Sequence, residues 1–376
     1  MKYCPIYAED GQRAATKGLA QLPYGARVIL GLLLSAIGGG LDASQALIMG
    51  LASRWRWESI WLVWALFGCL ILPWSAAWLM LQPPGPSIAE VFQYVSRDTL
   101  LQMVLFGAGW GVGAVLFGLG VVRVGMGLGL GITVSLTAAN GALLPLLLKN
   151  RELLISPEAG SIYLAVSLLV IGIILSSFAA HCRPDEKPLL ERERTNFGVG
   201  IVCCIASGFT SPMINLAFGA ALEINKAAEQ RGASSLAAGM APVALIMTAG
   251  FIVNAIYCSY LLFRNGSWKD FMLRGTASHW FYGVLMGLLQ MAAFFIYAVA
   301  TTRIDASAAG QSTELSGEVV GWPVYTASVI LFGNLEGLLR GEWKGSDRRT
   351  YALLAAGLLL LVAATSVVVG LCASRA

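Results

Sequence analysis

Charge is what this sequence has least of. Only 12% of its 376 residues are Asp, Glu, Lys or Arg, against 57% hydrophobic residues and a mean hydropathy of +0.71. Soluble domains run nearer a quarter charged, so a water-facing globule of this length is excluded for want of side chains to cover it. The formal charge of +4 is too small for the dense basic face that a nucleic-acid partner requires. Histidine is rarer still: the two present, His181 and His279, have no neighbouring Cys or His. The seven cysteines show no metal-ligand or disulfide spacing, and five lie in or beside apolar blocks, where Cys acts as a small hydrophobe. Neither a Ser-His-Asp context nor a His-Glu-x-x-His zinc spacing occurs. These absences predict no enzyme, no metal site and no cofactor. Residues 1–26 carry Glu9, Asp10, Arg13 and Lys17 without an apolar core, and so read as a polar tail rather than a signal peptide.

What the chain does have is apolar blocks, each long enough to cross a hydrocarbon core of roughly 30 Å as a helix. Lipid offers the backbone no partners, so self-satisfied helices are the spanning form. The blocks fall at 27–50, 58–81, 98–120, 124–148, 161–180, 197–224, 238–263, 278–301, 305–339 and 350–372. The expected fold is therefore all-α, a polytopic membrane protein of ten transmembrane helices. The ninth block is too long for a straight crossing, and Gly310, Gly317 and Gly321 are where it would bend. A charged linker, 181–196, separates a first five-helix repeat (27–180) from a second (197–376). Five is odd, so homologous halves would insert upside down relative to each other, with a substrate site between them at mid-membrane. The stretches around Arg123 and Arg303, each between two blocks, are weakly alike.

Fourteen Lys and Arg follow odd-numbered blocks and six follow even-numbered ones. By the positive-inside rule the odd loops are cytoplasmic and both termini lie outside. Lys2, Arg13, Lys17 and Arg27 of the tail pull the other way.

Acids inside apolar blocks are the sharpest chemical signal. Asp42 lies in the first block; Glu314 and Glu318, four residues apart on one helical face, lie in the ninth. A charge at bilayer depth costs roughly 2.5–3.5 kcal/mol on insertion scales. It survives by facing a polar cavity, pairing with a cation or taking up a proton. Asp42, Glu318 and Glu314 are the expected proton-coupling groups, with pairing to Arg123 or Arg303 the structural alternative. Trp110, Asn140, Asn215, Asn254, Gln290, Tyr297, Gln311 and Thr313 are the polar and aromatic residues expected to bind substrate. Amides both donate and accept, matching hydroxyl-rich ligands; the alternative for each is a helix-to-helix hydrogen bond. The glycines of blocks three and four, among them Gly107, Gly111, Gly127 and Gly131, suit close helix packing, since neither a preceding strand nor a following Lys-Ser pair makes a phosphate loop of them. Trp55, Trp57, Trp61, Trp64, Trp74 and Trp78 bracket block two and read as an interfacial belt.

Three ordered stretches resemble a known family. They are Trp55-Arg56-Trp57-Glu58 continuing to Ile71-Leu72-Pro73-Trp74; Leu105-Phe106-Gly107-Ala108-Gly109-Trp110-Gly111 continuing to Gly129-Leu130-Gly131; and Gly341-Glu342-Trp343-Lys344-Gly345 before Arg348-Arg349. They are similar to the bacterial L-rhamnose–proton symporters of the drug/metabolite transporter superfamily. That resemblance implies two inverted five-helix repeats in the inner membrane and uptake of a deoxy sugar with a proton. The chain departs from the pattern at Ala114, where the best-known members carry Asn, and in carrying Asp42 and Glu318 at neutral positions. The expected partners are thus a small sugar, protons and the lipid bilayer, with sodium the other possible coupling ion and no nucleic acid. Other readings are a different sugar or metabolite, export included, or a non-transporting sugar sensor.

Overall fold

The computed structural model describes residues 24–83, 85–124, 126–149, 151, 155–156, 159–183, 196–308 and 317–373. Every regular element among them is helical: α1 (Tyr24–Leu51), α2 (Trp57–Ala65), α3 (Leu72–Met80), α4 (Ile88–Gln93), α5 (Arg97–Val124), α6 (Met126–Lys149), α7 (Ala159–His181), α8 (Phe197–Thr210), α9 (Met213–Ala220), α10 (Leu222–Glu229), α11 (Ser235–Ala238), α12 (Met240–Asn265), α13 (Ala277–Ala308), α14 (Gly317–Leu339) and α15 (Arg348–Ala373). Nine segments among the described residues are long and apolar enough to cross a membrane, including the continuous Trp57–Met80 and Phe197–Glu229. This is a multi-pass membrane protein. The 23-residue α14 falls short of the same hydropathy because it carries Glu318, Asn334 and Glu336.

Local chemistry explains the irregularities. α2 passes into α3 through a π-helical stretch, Leu66–Ile71. Pro73 lies just beyond it, and a proline ring crowds the carbonyl four residues back, so one wide turn relieves the clash. At that turn Gly68 faces Gly287 of α13, and a methyl on either would strike the other backbone at under 3 Å. α12 stops at Gly266, whose φ of 66° makes the left-handed cap that most side chains resist. The tenth-span reading needs one correction: residues 305–308 belong to α13, not to the start of the ninth block. Of the three glycines expected to bend that block, Gly317 is the first residue of α14, Gly321 lies within it and Gly310 lies outside the described residues.

Packing follows a reciprocal pattern. α1 lies against α13 and α14, as α8 lies against α5 and α6. α5 packs on α12, as α13 packs on the α2–α3 span; α7 packs on α15, and α6 on α14.

The Trp55–Glu58 stretch ties two loops together. Glu58, buried, accepts from Asn265 Nδ2 at 2.9 Å and Ser267 Oγ at 2.6 Å. Asp270 accepts from the Arg56 amide and from Ser59 Oγ, both at 2.9 Å, closing the open N-terminus of α2. Trp55 Nε1 donates to Thr276 Oγ1 at 3.1 Å.

Candidate functional site

A chamber of about 480 Å³ lies among α1, α2, α5, α13 and α14. Trp110 and Phe294 form its floor, their rings 5.6 Å apart in edge contact. Beneath them Phe218, Tyr297, Trp322 and Tyr325 form a continuous buried aromatic layer, with Trp322 stacked on Tyr325 at 5.5 Å. The layer is pinned by hydrogen bonds. Tyr297 Oη donates to Asn215 Oδ1 at 2.5 Å, Asn215 Nδ2 to the Gly141 carbonyl at 2.8 Å, and Trp322 Nε1 to the Thr137 carbonyl at 3.1 Å. That end is sealed. The other end opens beside Arg183, Arg340 and Glu342, in the loops that follow α7 and α14.

One chain of polar groups crosses this largely apolar wall. Asp42 and Gln45 are three residues apart on α1 and therefore share a face. Gln45 Nε2 donates to Asp42 Oδ1 at 2.5 Å and to Gln290 Oε1 of α13 at 2.9 Å. Gln290 is 4% exposed, and its Nε2 has no partner among the described residues. A buried donor left unmatched costs roughly 1–3 kcal/mol, so a group that fills the chamber and accepts from Nε2 recovers that loss. The buried Tyr325 phenol faces Asp42 from α14, short of a formed hydrogen bond. Nearer the mouth Ser44 Oγ donates to Glu336 Oε1 at 2.7 Å.

Of the sequence-predicted residues, Asp42, Trp110 and Gln290 stand on the chamber wall. Asn215 and Tyr297 belong to the sealing layer beneath it. Asn140 donates to the Gly208 carbonyl at 3.1 Å, joining α6 to α8. Asn254 accepts from Trp61 Nε1 and donates to the Gly250 carbonyl, both at 2.9 Å. These two are helix-to-helix ties away from the wall. Glu318 sits in the first turn of α14, but its side chain, like all of Gln311, Thr313 and Glu314, lies outside the described residues. Arg123 donates to the Leu119 carbonyl at 2.7 Å.

The sequence reasoning missed Gln45, Glu336, Trp61 and Trp64, all of which line the chamber. Gln45 was findable, one turn from the only acid of its helix. The tryptophan belt is a correction. Trp57, Trp61 and Trp64 recur at helical spacing on a face turned inward, Trp57 stacked on Trp61 at 5.0 Å and Trp61 tilted against Trp64 at 4.3 Å. Trp55 packs on Phe271, and Trp74 Nε1 donates to Thr248 Oγ1 at 2.7 Å. Trp78 alone of the six is largely exposed.

Comparison with known proteins agrees with this picture over nearly the whole chain. A family model described as L-rhamnose-proton symport protein (RhaT) matches residues 25–374. Proteins named L-rhamnose-proton symporter from Yersinia pestis (strain Pestoides F) and Yersinia pseudotuberculosis serotype O:1b (strain IP 31758) are 29% identical to it over 348 residues, covering 91% of this chain and 97% of each relative.

Proposed function

The chain belongs to the L-rhamnose-proton symport protein family, and we infer that its chamber carries a small sugar, L-rhamnose or a related deoxy sugar, through the membrane together with a proton. It is a transporter and not an enzyme. The observation that carries the reading is the Asp42–Gln45–Gln290 chain on the wall of a ring-lined chamber. A volume of about 480 Å³ falls within the range of small-molecule sites. Hydroxyls match the free Nε2 of Gln290 and the side chains of Ser211 and Asn334, while the apolar face and methyl of a deoxy sugar suit Trp110, Phe294 and Met286.

The transport cycle we infer is alternating access between two inverted five-helix repeats, with α14 completing ten spans. The reciprocal packing supports it: if α1, α2–α3, α5, α6 and α7 are matched in order with Phe197–Glu229, α12, α13, α14 and α15, each contact described above exchanges with another or with itself. A chamber sealed by rings at one end and open at the other is one conformer of such a cycle. With the basic loops in the cytoplasm of a bacterial inner membrane, the open end faces inward. Asp42 carries the proton in this reading. Glu318, in the first turn of α14, and Glu314, four residues earlier in the sequence, are the further proton-coupling groups of this reading. One charge crossing 100 mV releases about 2.3 kcal/mol, enough for tens-fold accumulation.

Proteoliposomes test the proposal. An imposed inward proton gradient should drive accumulation of labelled L-rhamnose, and Asp42→Asn should abolish accumulation while preserving sugar exchange. Uptake indifferent to the gradient would overturn it. A panel of other labelled sugars fixes the substrate.

A further inference from the structure

We propose that Gln45 is a positioning residue that converts protonation of Asp42 into a switch of the hydrogen-bonding group Gln290 turns toward the sugar; this rests on the symport reading above. The argument is one of amide polarity. A primary amide is a donor at one end and an acceptor at the other, and the two ends occupy nearly the same volume. Turning it over costs little space and reverses its chemistry. Gln45 Nε2 donates to Asp42 Oδ1 and Gln290 Oε1, with the Asp42 backbone carbonyl a longer third acceptor at 3.3 Å. As long as Asp42 is an acceptor, Gln45 must present nitrogen. Gln290 must then answer with oxygen, and its own nitrogen is left buried at the chamber wall with no partner among the described residues. The unmatched Nε2 is thus a consequence of the relay: its orientation is dictated two side chains away.

Protonation reverses each step. Asp42 takes its proton in the alternate conformer, when the chamber opens to the outside. One O–H bond forms on Oδ1, the carboxylate charge goes from −1 to zero, and the group becomes a donor. Gln45 then turns its oxygen to receive that O–H. With two lone pairs, the same oxygen also receives Gln290 Nε2 in place of Oε1. Gln290 turns over in turn and shows Oε1 to the chamber, an acceptor where a donor stood. The chamber therefore binds sugar hydroxyls by different partners in its two protonation states, which is the differential affinity that coupling requires. Release of the proton to the opposite side restores the first arrangement.

Few other groups can disturb the relay. From α14 the Tyr325 phenol faces Asp42 and Glu336 stands farther toward the mouth, bonded to Ser44. From α13, Gln290 is the polar side chain at this depth; His279 lies at the start of that helix, and Arg303 lies beyond the aromatic layer. α15 brings Arg348, Arg349 and Tyr351 at its first turns, and Arg183, Arg340 and Glu342 stand at the rim. Gln45 is the side chain that touches both Asp42 and Gln290.

The test is sugar affinity against pH in the full chain, read from tryptophan fluorescence as L-rhamnose is added, because Trp61, Trp64 and Trp110 line the chamber. In the unsubstituted protein Kd should change about ten-fold between about pH 5 and about pH 8, the size of a typical coupling. Gln45→Met fills the same space without either polar end. It should bind L-rhamnose with a Kd that changes less than about two-fold over that range, and should exchange sugar without accumulating it. Rescue should fail with Gln45→Asn, whose amide stops one methylene short. A Gln45→Met protein that keeps the full pH dependence overturns the relay and leaves the transport reading standing. An unsubstituted protein that binds no sugar at any pH overturns both. Should Gln45→Met fail to fold, infrared difference spectra of the unsubstituted protein with isotope-labelled glutamine decide. A pH-driven shift of glutamine amide bands, lost in Asp42→Asn, supports the relay, and amide bands that do not move overturn it.

Discussion

Arg183 and Glu342 meet at 2.8 Å across the rim of the chamber, and the same guanidinium lies 5.1 Å from the centre of the Trp343 ring. The contact joins the loop after α7 to the turn after α14, elements separated by 159 residues. That turn is shaped by Gly341 and Gly345, whose φ angles of 76° and 86° favour residues without a Cβ. The pair is partly open to water, with Glu342 42% exposed. Exposed pairs contribute about 0.2–1 kcal/mol. A double-mutant cycle with Arg183→Ala and Glu342→Ala, read by thermal unfolding, should give a coupling energy in that range. A value above about 2 kcal/mol would mean that the rim is far drier than the structure implies.

Gln290 separates binding from stability. Gln290→Leu removes the bond from Gln45 and also removes the orphaned Nε2, two changes of opposite sign and each about 1 kcal/mol or somewhat more. The melting temperature should therefore move little, while L-rhamnose binding weakens at least about ten-fold through the lost hydroxyl partner. Titration calorimetry alongside thermal unfolding checks both halves. A large fall in stability with unchanged affinity would make Gln290 a structural residue.

Glu58 behaves in the opposite way. It lies away from the chamber wall and accepts two hydrogen bonds that tie the start of α2 to the end of α12 and the segment after it. Glu58→Ala leaves Asn265 and Ser267 without their acceptor and should cost about 2–4 kcal/mol. Affinity in the fraction that remains folded should be unchanged. Denaturation monitored by ligand binding measures the two together.

The crossing at Gly68 and Gly287 has no room for a side chain. Gly287→Val should cost about 1–3 kcal/mol by overpacking, and folded yield should fall with it. Gly160→Ala, where an added methyl meets nothing within 4 Å, is the matched control and should be neutral. Equal losses at both positions would show that the crossing is looser than described.

Outside the membrane, Asp347 caps α15 by accepting the Thr350 amide at 2.8 Å. Hydrogen bonds from Thr350 hold its carboxyl below the ordinary 3.8. A depressed folded value means that the stabilisation is complete above the unfolded value and disappears as pH falls through the folded one. The stability difference between the unsubstituted protein and Asp347→Ala should accordingly narrow on acidification below about pH 4. Asp347→Asn, a neutral cap, should show no such narrowing.

The sequence by itself determined the membrane, the helices and the family. Twenty apolar residues in lipid have one way to satisfy their backbone, so hydropathy alone places most helices to within a few residues, and ordered motifs survive as text. It also placed Asp42, Trp110 and Gln290 among the groups of interest, because a polar side chain in an apolar block is conspicuous wherever it points. What the text could not hold is direction. Whether Trp61 faces lipid or a chamber, or whether Asn254 binds a ligand or a neighbouring helix, depends on the rotation of one helix against another. Packing between residues some 200 positions apart sets that rotation. The join of Gln45 to Gln290, 245 residues away, is of this kind: each residue is legible alone, and only the tertiary structure makes them one chain, because a hydrogen bond needs two atoms within about 3 Å and sequence distance carries no such information.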